Sequence, residues 1–216
     1  MNALGAIQVA VIAALGISLA AKILAQSQRG VRAIVLGRAG DGILSRIDPL
    51  AVVALFLWFG SVALHGTGLA PGRFEPRLFQ APVAEVAGAV LAVGALGLVI
   101  TALVQMGRSW RIGIDPESRE QLVTSGVFAV SRNPIYLAFD LLAVSAFAMS
   151  GSVYFLISGL AVASGIHIQI LREERFLAGA FGARYESYCG QVRRYFGRGP
   201  RAGPPSSLHS GNQGGA

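Results

Sequence analysis

Apolar residues in this chain gather into long blocks separated by short polar stretches. Five blocks approach the length of a membrane span: Leu4–Ala25, Pro49–Leu69, Pro82–Met106, Pro134–Met149 and Ser152–Leu171. A bilayer core of ~30 Å takes about 20 predominantly apolar residues per helix, because lipid offers the backbone no hydrogen-bond partners. Only Ser150 and Gly151 separate the last two blocks, which predicts a tight helical hairpin. The fourth block is short for a span, so the pattern places it partly under protein cover. Beyond the fifth block, Leu177, Phe181, Tyr185 and Tyr188 recur at steps of four, four and three. That spacing predicts an amphipathic helix on the membrane surface. The fold class is therefore all-α: a polytopic membrane protein with about five transmembrane helices and a cytoplasmic amphipathic C-terminal helix. Three units follow: the N-terminal helices over 1–106, a module of loop, hairpin and amphipathic helix over 107–196, and a Gly/Pro/Ser-rich tail over 197–216 that is expected to be disordered.

Composition agrees with lipid as the solvent. The 216 residues are 53% hydrophobic and 13% charged, and the mean hydropathy is +0.58; a soluble domain carries roughly a quarter charged residues. The net charge of +7 would suggest nucleic acid in a soluble protein, but the arginines flank apolar blocks and no basic stripe is interleaved with stacking aromatics. Nucleic acid is excluded as a partner, which leaves the lipid bilayer and a lipophilic small molecule. A single cysteine, Cys189, allows neither an intrachain disulfide nor a cysteine metal cluster. The first block is too long for a secretory signal and lacks a basic start, so it is read as a retained span. No internal repeat is visible, which argues against an inverted-repeat transporter.

Basic residues set the expected orientation. Lys22, Arg29, Arg32, Arg38 and Arg46 surround the first loop. Arg108, Arg111, Arg119 and Arg132 mark the third, and Arg172, Arg175, Arg184, Arg193, Arg194, Arg198 and Arg201 the tail. Only Arg73 and Arg77 lie in the second loop. Five spans put all the rich segments on one side, with the N-terminus outside and the C-terminus cytoplasmic, in a plasma (inner) membrane.

Chemistry is expected where the third loop and the segment after the fifth span meet on the cytoplasmic face. Trp110 to Arg132 mixes apolar, acidic and turn-forming residues, as in a structured loop on the membrane surface. Pro134 suits the first turn of a helix, where its missing N–H costs nothing, with Asn133 as the N-cap. The stretches LVTSGVFAVSRNPIYLAF (122–139) and REERFLAGAFGARYESYCGQVRRY (172–195) resemble the isoprenylcysteine carboxyl methyltransferases and their phospholipid methyltransferase relatives. That family pairs G-x-Y-x-x-x-R-H-P-x-Y with a Glu-Glu pair followed by F-G-x-x-Y-x-x-Y. The resemblance covers roughly 107–195 and preserves the order of the two motifs around a helical hairpin; the first three spans resemble nothing comparable.

The resemblance implies a membrane-embedded methyltransferase with S-adenosyl-L-methionine as cofactor and an acceptor that enters from the bilayer. It implies cofactor contacts at Glu120, Gln121, Leu122, Val123, Phe128, Asn133, Pro134, Ile135, Tyr136 and Glu173. Phe128 stands where the family usually has Tyr, and Asn133 where it usually has His. Gln169 stands where the prenylcysteine enzymes carry an Arg for the substrate carboxylate. Either Arg172, one turn on, takes that role in positioning the substrate, or the acceptor is not a carboxylate. Methyl transfer is an in-line displacement that mainly requires alignment and exclusion of water, and no metal is expected. Two rivals share parts of the pattern: an NADPH-dependent membrane reductase of the sterol-reductase-like type, and a non-enzymatic membrane protein.

Other polar residues inside the blocks have plainer readings beside functional ones. Asp140 lies within the fourth block, where an ionisable group is costly and marks a functional position unless a neighbouring helix satisfies it. His167 is read as a packed helix partner or a substrate contact. His65 has the same two readings, and Glu85 is read as a solvated residue near the outer end of its span. Glu174 is either a charge at the membrane boundary or part of the site. Phe56, Trp58 and Phe59 are read as lipid-facing or as bundle packing, and Gly88, Gly94 and Gly97 as points of close helix approach.

Overall fold

The computed structural model describes residues 2–31, 33–35, 43–112 and 121–199. Six α-helices follow in order: α1 (Ala3–Gln28), α2 (Ile43–Thr67), α3 (Pro82–Met106), α4 (Pro134–Ser150), α5 (Val153–Phe181) and α6 (Ala183–Gln191). Short 3-10 turns lie at Pro71–Phe74, Gly107–Ser109 and Gly126–Ala129. Among the described residues, β-structure is limited to isolated bridges. Among the described residues, four helices are long and apolar enough to cross a membrane, and Pro134–Ser150 is a shorter apolar helix. The all-α polytopic architecture read from the apolar blocks is the one observed.

The long helices are apolar on every side. Leu57, Val90 and Val104 are each more than two-thirds exposed; a helix that is hydrophobic all round needs lipid or protein on all faces. Between helices, small residues make the contact. On α3, Gly88, Ala92, Ala95, Val99 and Ala102 form a buried seam, packed against Ala138, Leu142, Ala146 and Met149 of α4. With lipid competing on equal terms for apolar surface, close backbone approach and its dispersion gain are what favour one helix pair over another. A Cβ at Gly88 would meet Met149 and the Ser145 carbonyl, whereas Gly94 and Gly97 have open space around them. Close approach was expected at all three glycines. Only Gly88 falls on the seam, whose steps of four and three pass 94 and 97 by.

α1 crosses α2 where Gly5 and Gly66 face each other so tightly that a Cβ on either would clash with the other's carbonyl. The aromatic group of α2 divides: Phe56 is exposed, whereas Trp58 and Phe59 are buried. Trp58 donates its indole N–H to Ser158 Oγ at 3.0 Å. The expected hairpin forms between α4 and α5. Gly151 closes α4 in the left-handed region (φ 62°), and Ser152 caps α5 by accepting the Tyr154 N–H at 3.1 Å.

The two ends of the bundle are distinct. At one end, Ile34 pairs with Ile112 in an isolated parallel bridge, and Gln26 donates from Nε2 to the carbonyls of Arg108 and Trp110, both at 2.9 Å. The first and third loops therefore share a face. At the other end, Arg77 of the second loop bridges to Ser152 at the hairpin tip. With 29 residues, α5 is about 43 Å long at 1.5 Å per residue, so its last turns project beyond a ~30 Å hydrocarbon core.

The amphipathic surface element is not one continuous helix. Leu177 and Phe181 end α5, Gly182 turns at φ 50°, and Tyr185 and Tyr188 belong to α6. The apolar face nevertheless stays whole, because Leu177, Phe181, Tyr185, Tyr188 and Leu122 pack in one cluster. After α6 the chain folds back: Gly197 donates its N–H to the Val130 carbonyl at 2.8 Å, and Arg132 to the Arg193 carbonyl at 3.1 Å. The remainder of the expected tail lies outside the described residues.

Candidate active site

α4 starts abruptly because Pro134 sits in its first turn. Asn133 occupies the N-cap position, but its side chain makes no cap hydrogen bond. Instead Nδ2 donates to Glu174 Oε1 at 3.1 Å and to the Arg194 carbonyl at 3.2 Å. The expectation of an Asn133 cap is thus corrected: a buried carboxylate nearby outcompetes the helix for its amide. The first-turn N–H groups of α4 are left without a side-chain cap, and such an end favours an anionic partner.

Glu174 is the hub that joins the two motifs. Its Oε1 accepts from Arg132 Nη2 at 2.9 Å and Nε at 3.2 Å, and its Oε2 from Arg194 Nη2 at 2.9 Å and Nε at 3.0 Å. Both side chains of the Arg132–Glu174 pair are 11% exposed. A carboxylate so enclosed is tolerable only with such compensation. The same bonds hold the Arg194 guanidinium above its ordinary pKa. With its lone pairs engaged by arginines and Asn133, Glu174 fastens the α5 exit to the start of α4.

Its neighbour Glu173 points elsewhere. Glu173 Oε2 accepts the Tyr136 hydroxyl at 3.0 Å. Tyr136 lies one turn into α4, so the hairpin brings together two groups that are 37 residues apart. On the same exit of α5, Arg172 Nη1 donates to Gln169 Oε1 at 3.2 Å. The two residues expected to position the substrate are therefore bonded to each other.

The third-loop residues approach from the α6 side. Ser109 Oγ donates to the Gln121 carbonyl at 3.3 Å, Leu122 packs on the Tyr185–Tyr188 cluster, and Val123 is half-buried. Phe128 is buried, and its carbonyl accepts the Tyr188 hydroxyl at 2.6 Å. Burial pushes the Tyr188 pKa up, so the phenol stays protonated as a donor. Pro134 is buried and Ile135 half-buried beside the bundle core. Glu120 lies outside the described residues. The geometry thus gathers Phe128, Asn133, Pro134, Ile135, Tyr136 and Glu173 at one end of the bundle, with Leu122 adjoining through α6.

Farther along the α4–α5 groove, His167 Nδ1 lies 2.7 Å from the Tyr195 hydroxyl, and the two rings stack with centroids 6.0 Å apart. One turn from Tyr136, Asp140 holds a buried Oδ1 with no hydrogen-bond partner among the described residues. Arg132 and Arg194 are not among the site residues that the sequence predicts, yet both hold Glu174. The available signal was physical: a Glu-Glu pair at a membrane boundary demands cations, and Arg132 sits in the first motif itself.

Residues 83–184 match the family model described as phospholipid methyltransferase, a stretch that runs from the first turn of α3 through α4 and α5 to the start of α6. The resemblance read from the two motifs is borne out at the level of the family. No curated protein matches the chain. The family is one of membrane methyltransferases that act on lipids, and the apolar helices make this chain an integral membrane protein.

Proposed function

We propose that this protein is an S-adenosyl-L-methionine-dependent methyltransferase, isoprenylcysteine carboxyl methyltransferase-like, that methylates a lipophilic acceptor at the cytoplasmic end of the bundle. The observation that carries the reading is the Tyr136–Glu173 hydrogen bond beside the uncapped start of α4. A carboxylate, an aromatic hydroxyl and a cluster of backbone N–H groups offer complements to an ammonium or ribose, to an adenine or sulfonium, and to a carboxylate. The donor set fits that cofactor.

When bound, the cofactor supplies an electrophilic methyl group on sulfur, ready for in-line displacement by an acceptor oxygen or nitrogen. The chain's own residues would align and enclose. Glu173 and Tyr136 would fix one end of the cofactor and the first turn of α4 its carboxylate, with Pro134 and Ile135 forming the wall. Gln121, Leu122 and Val123, with Glu120 before them, would close the site from the third loop. Asn133 and Phe128 support it from behind, since the Asn133 amide is engaged by Glu174 and the Phe128 ring is buried. Gln169 and Arg172 would position the acceptor. Water exclusion follows from setting these groups where α5 leaves the hydrocarbon.

The test is to incubate purified protein with radiolabelled S-adenosyl-L-methionine and a lipid extract, then identify the labelled species. Label in a lipid fraction, lost in Glu173→Gln, is the expected result. Saturable binding of NADPH without binding of S-adenosylhomocysteine would overturn the proposal in favour of a reductase.

A further inference from the structure

The end of the bundle opposite Tyr136 holds a second polar site. Between the start of α1, the end of α2 and the start of α3 lies a cleft of about 240 Å³, lined among others by Gln8, His65, Arg77 and Glu85. Gln8 is 2% exposed. One of its amide atoms, Oε1, lies 3.2 Å from His65 Nδ1, and the other, Nε2, is buried with no partner among the described residues. Turning the amide over would only exchange the two atoms, so one buried polar atom is unsatisfied either way. A buried polar atom left without a partner is destabilising unless something binds it. The Gly5–Gly66 crossing lies beside this pair, with a Cβ at Gly66 placed 3.3 Å from Gln8 Cβ.

The rim carries both charges. Arg77 Nε stands 3.0 Å from Glu75 Oε1, and its terminal nitrogens make no hydrogen bond among the described residues. Glu85, half-buried on the first turn of α3, forms no ion pair among the described residues. A guanidinium and a carboxylate flanking a neutral amide floor complement a small zwitterion: phosphate toward Arg77, ammonium toward Glu85. The volume suits a headgroup and not a whole drug-sized ligand, for which pockets of ~300–1,000 Å³ are usual. Exposed Leu69, Val83 and Val86 adjoin the lining residues Gly68 and Glu85 and offer an apolar track for acyl chains.

We propose that this cleft is a binding site for the headgroup of a zwitterionic amino-phospholipid, separate from the methyl-transfer site. The inference does not depend on the proposed catalytic function. In the test, the full-length protein in detergent is titrated with short-chain phosphatidylethanolamine, short-chain phosphatidylglycerol and free phosphoethanolamine. Binding is read by native mass spectrometry and helical content by circular dichroism. Phosphatidylethanolamine should bind more tightly than either other probe. Glu85→Gln should weaken it about tenfold without changing phosphatidylglycerol binding, and Arg77→Gln should weaken both lipids. The two rim variants probe the site independently, so failure of one to fold leaves the other decisive. Wild-type phosphatidylethanolamine binding in both variants would overturn the assignment, as would equal binding of the two lipids. Loss of binding in Glu173→Gln with retention in Glu85→Gln would place the lipid at the other site and overturn it too. Equal affinity for free phosphoethanolamine would make the occupant a soluble zwitterion and overturn the lipid assignment.

Discussion

Two adjacent carboxylates have opposite tasks, set by which way each leaves the helix. Glu174 is enclosed by Arg132, Arg194 and Asn133, whereas Glu173 meets Tyr136. Glu174→Ala would leave Arg132 without its buried counter-charge, and losing one partner of such a pair costs about 3–5 kcal/mol. Thermal unfolding of the purified protein should therefore shift strongly downward for Glu174→Ala. Glu173→Gln should leave the melting curve near wild type while abolishing methyl transfer; equal melting for both variants would refute the division of labour. Tyr136→Phe deletes one hydrogen bond to a carboxylate, worth about 1.5–3 kcal/mol. By titration calorimetry, S-adenosylhomocysteine affinity should fall tenfold or more, and an unchanged affinity would remove Tyr136 from the cofactor site.

Among the elements, the α3–α4 pair is the frame on which the site is aligned. Ala95, Val99 and Ala102 of the α3 seam are 0% exposed, so the seam has no room for larger side chains. Ala95→Leu should cost about 1–3 kcal/mol through overpacking and displace α4 relative to α5. Activity should then fall together with stability, seen as lower melting and weaker cofactor binding in the same preparation. The matching change at Gly94, which faces open space, is the control: Gly94→Leu should alter neither. If both variants behave alike, the seam does not position α4.

Over the whole molecule, the chain arranges its loops by charge. The first loop, the third loop and the segment after α6 meet at one end, and the second loop and hairpin tip at the other. With the arginines concentrated at the first end, the positive-inside rule predicts that this end faces the cytoplasm. Single cysteines at Arg73 and at Arg108, placed in a Cys189→Ser background, should react with a membrane-impermeant maleimide from opposite sides of sealed vesicles. Arg73→Cys should label from outside and Arg108→Cys only after the vesicles are opened. Labelling of both from one side would contradict a bundle with distinct ends.

The apolar blocks determined the order and approximate position of five apolar helices, because a span must be apolar along its length; four of them are long enough to cross a membrane, and the fourth block forms the shorter helix Pro134–Ser150. Pro82 and Pro134 fixed two helix starts, Gly151 fixed the hairpin, and the two short motifs carried the likeness to phospholipid methyltransferases that the match over 83–184 also shows. Which carboxylate of the pair is spent on structure was not legible in the chain, since Glu173 and Glu174 differ only in the direction their side chains leave α5. Nor was the unused N-cap of Asn133, which depends on a glutamate 41 residues away. The split among Gly88, Gly94 and Gly97 depends on the rotation of α3 against α4, and the meeting of Gln8 with His65 on a crossing that brings Gly5 onto Gly66. Lipid solvation acts on each helix alone, and so is written along the sequence; packing and charge compensation act between helices, and so are decided only when they assemble.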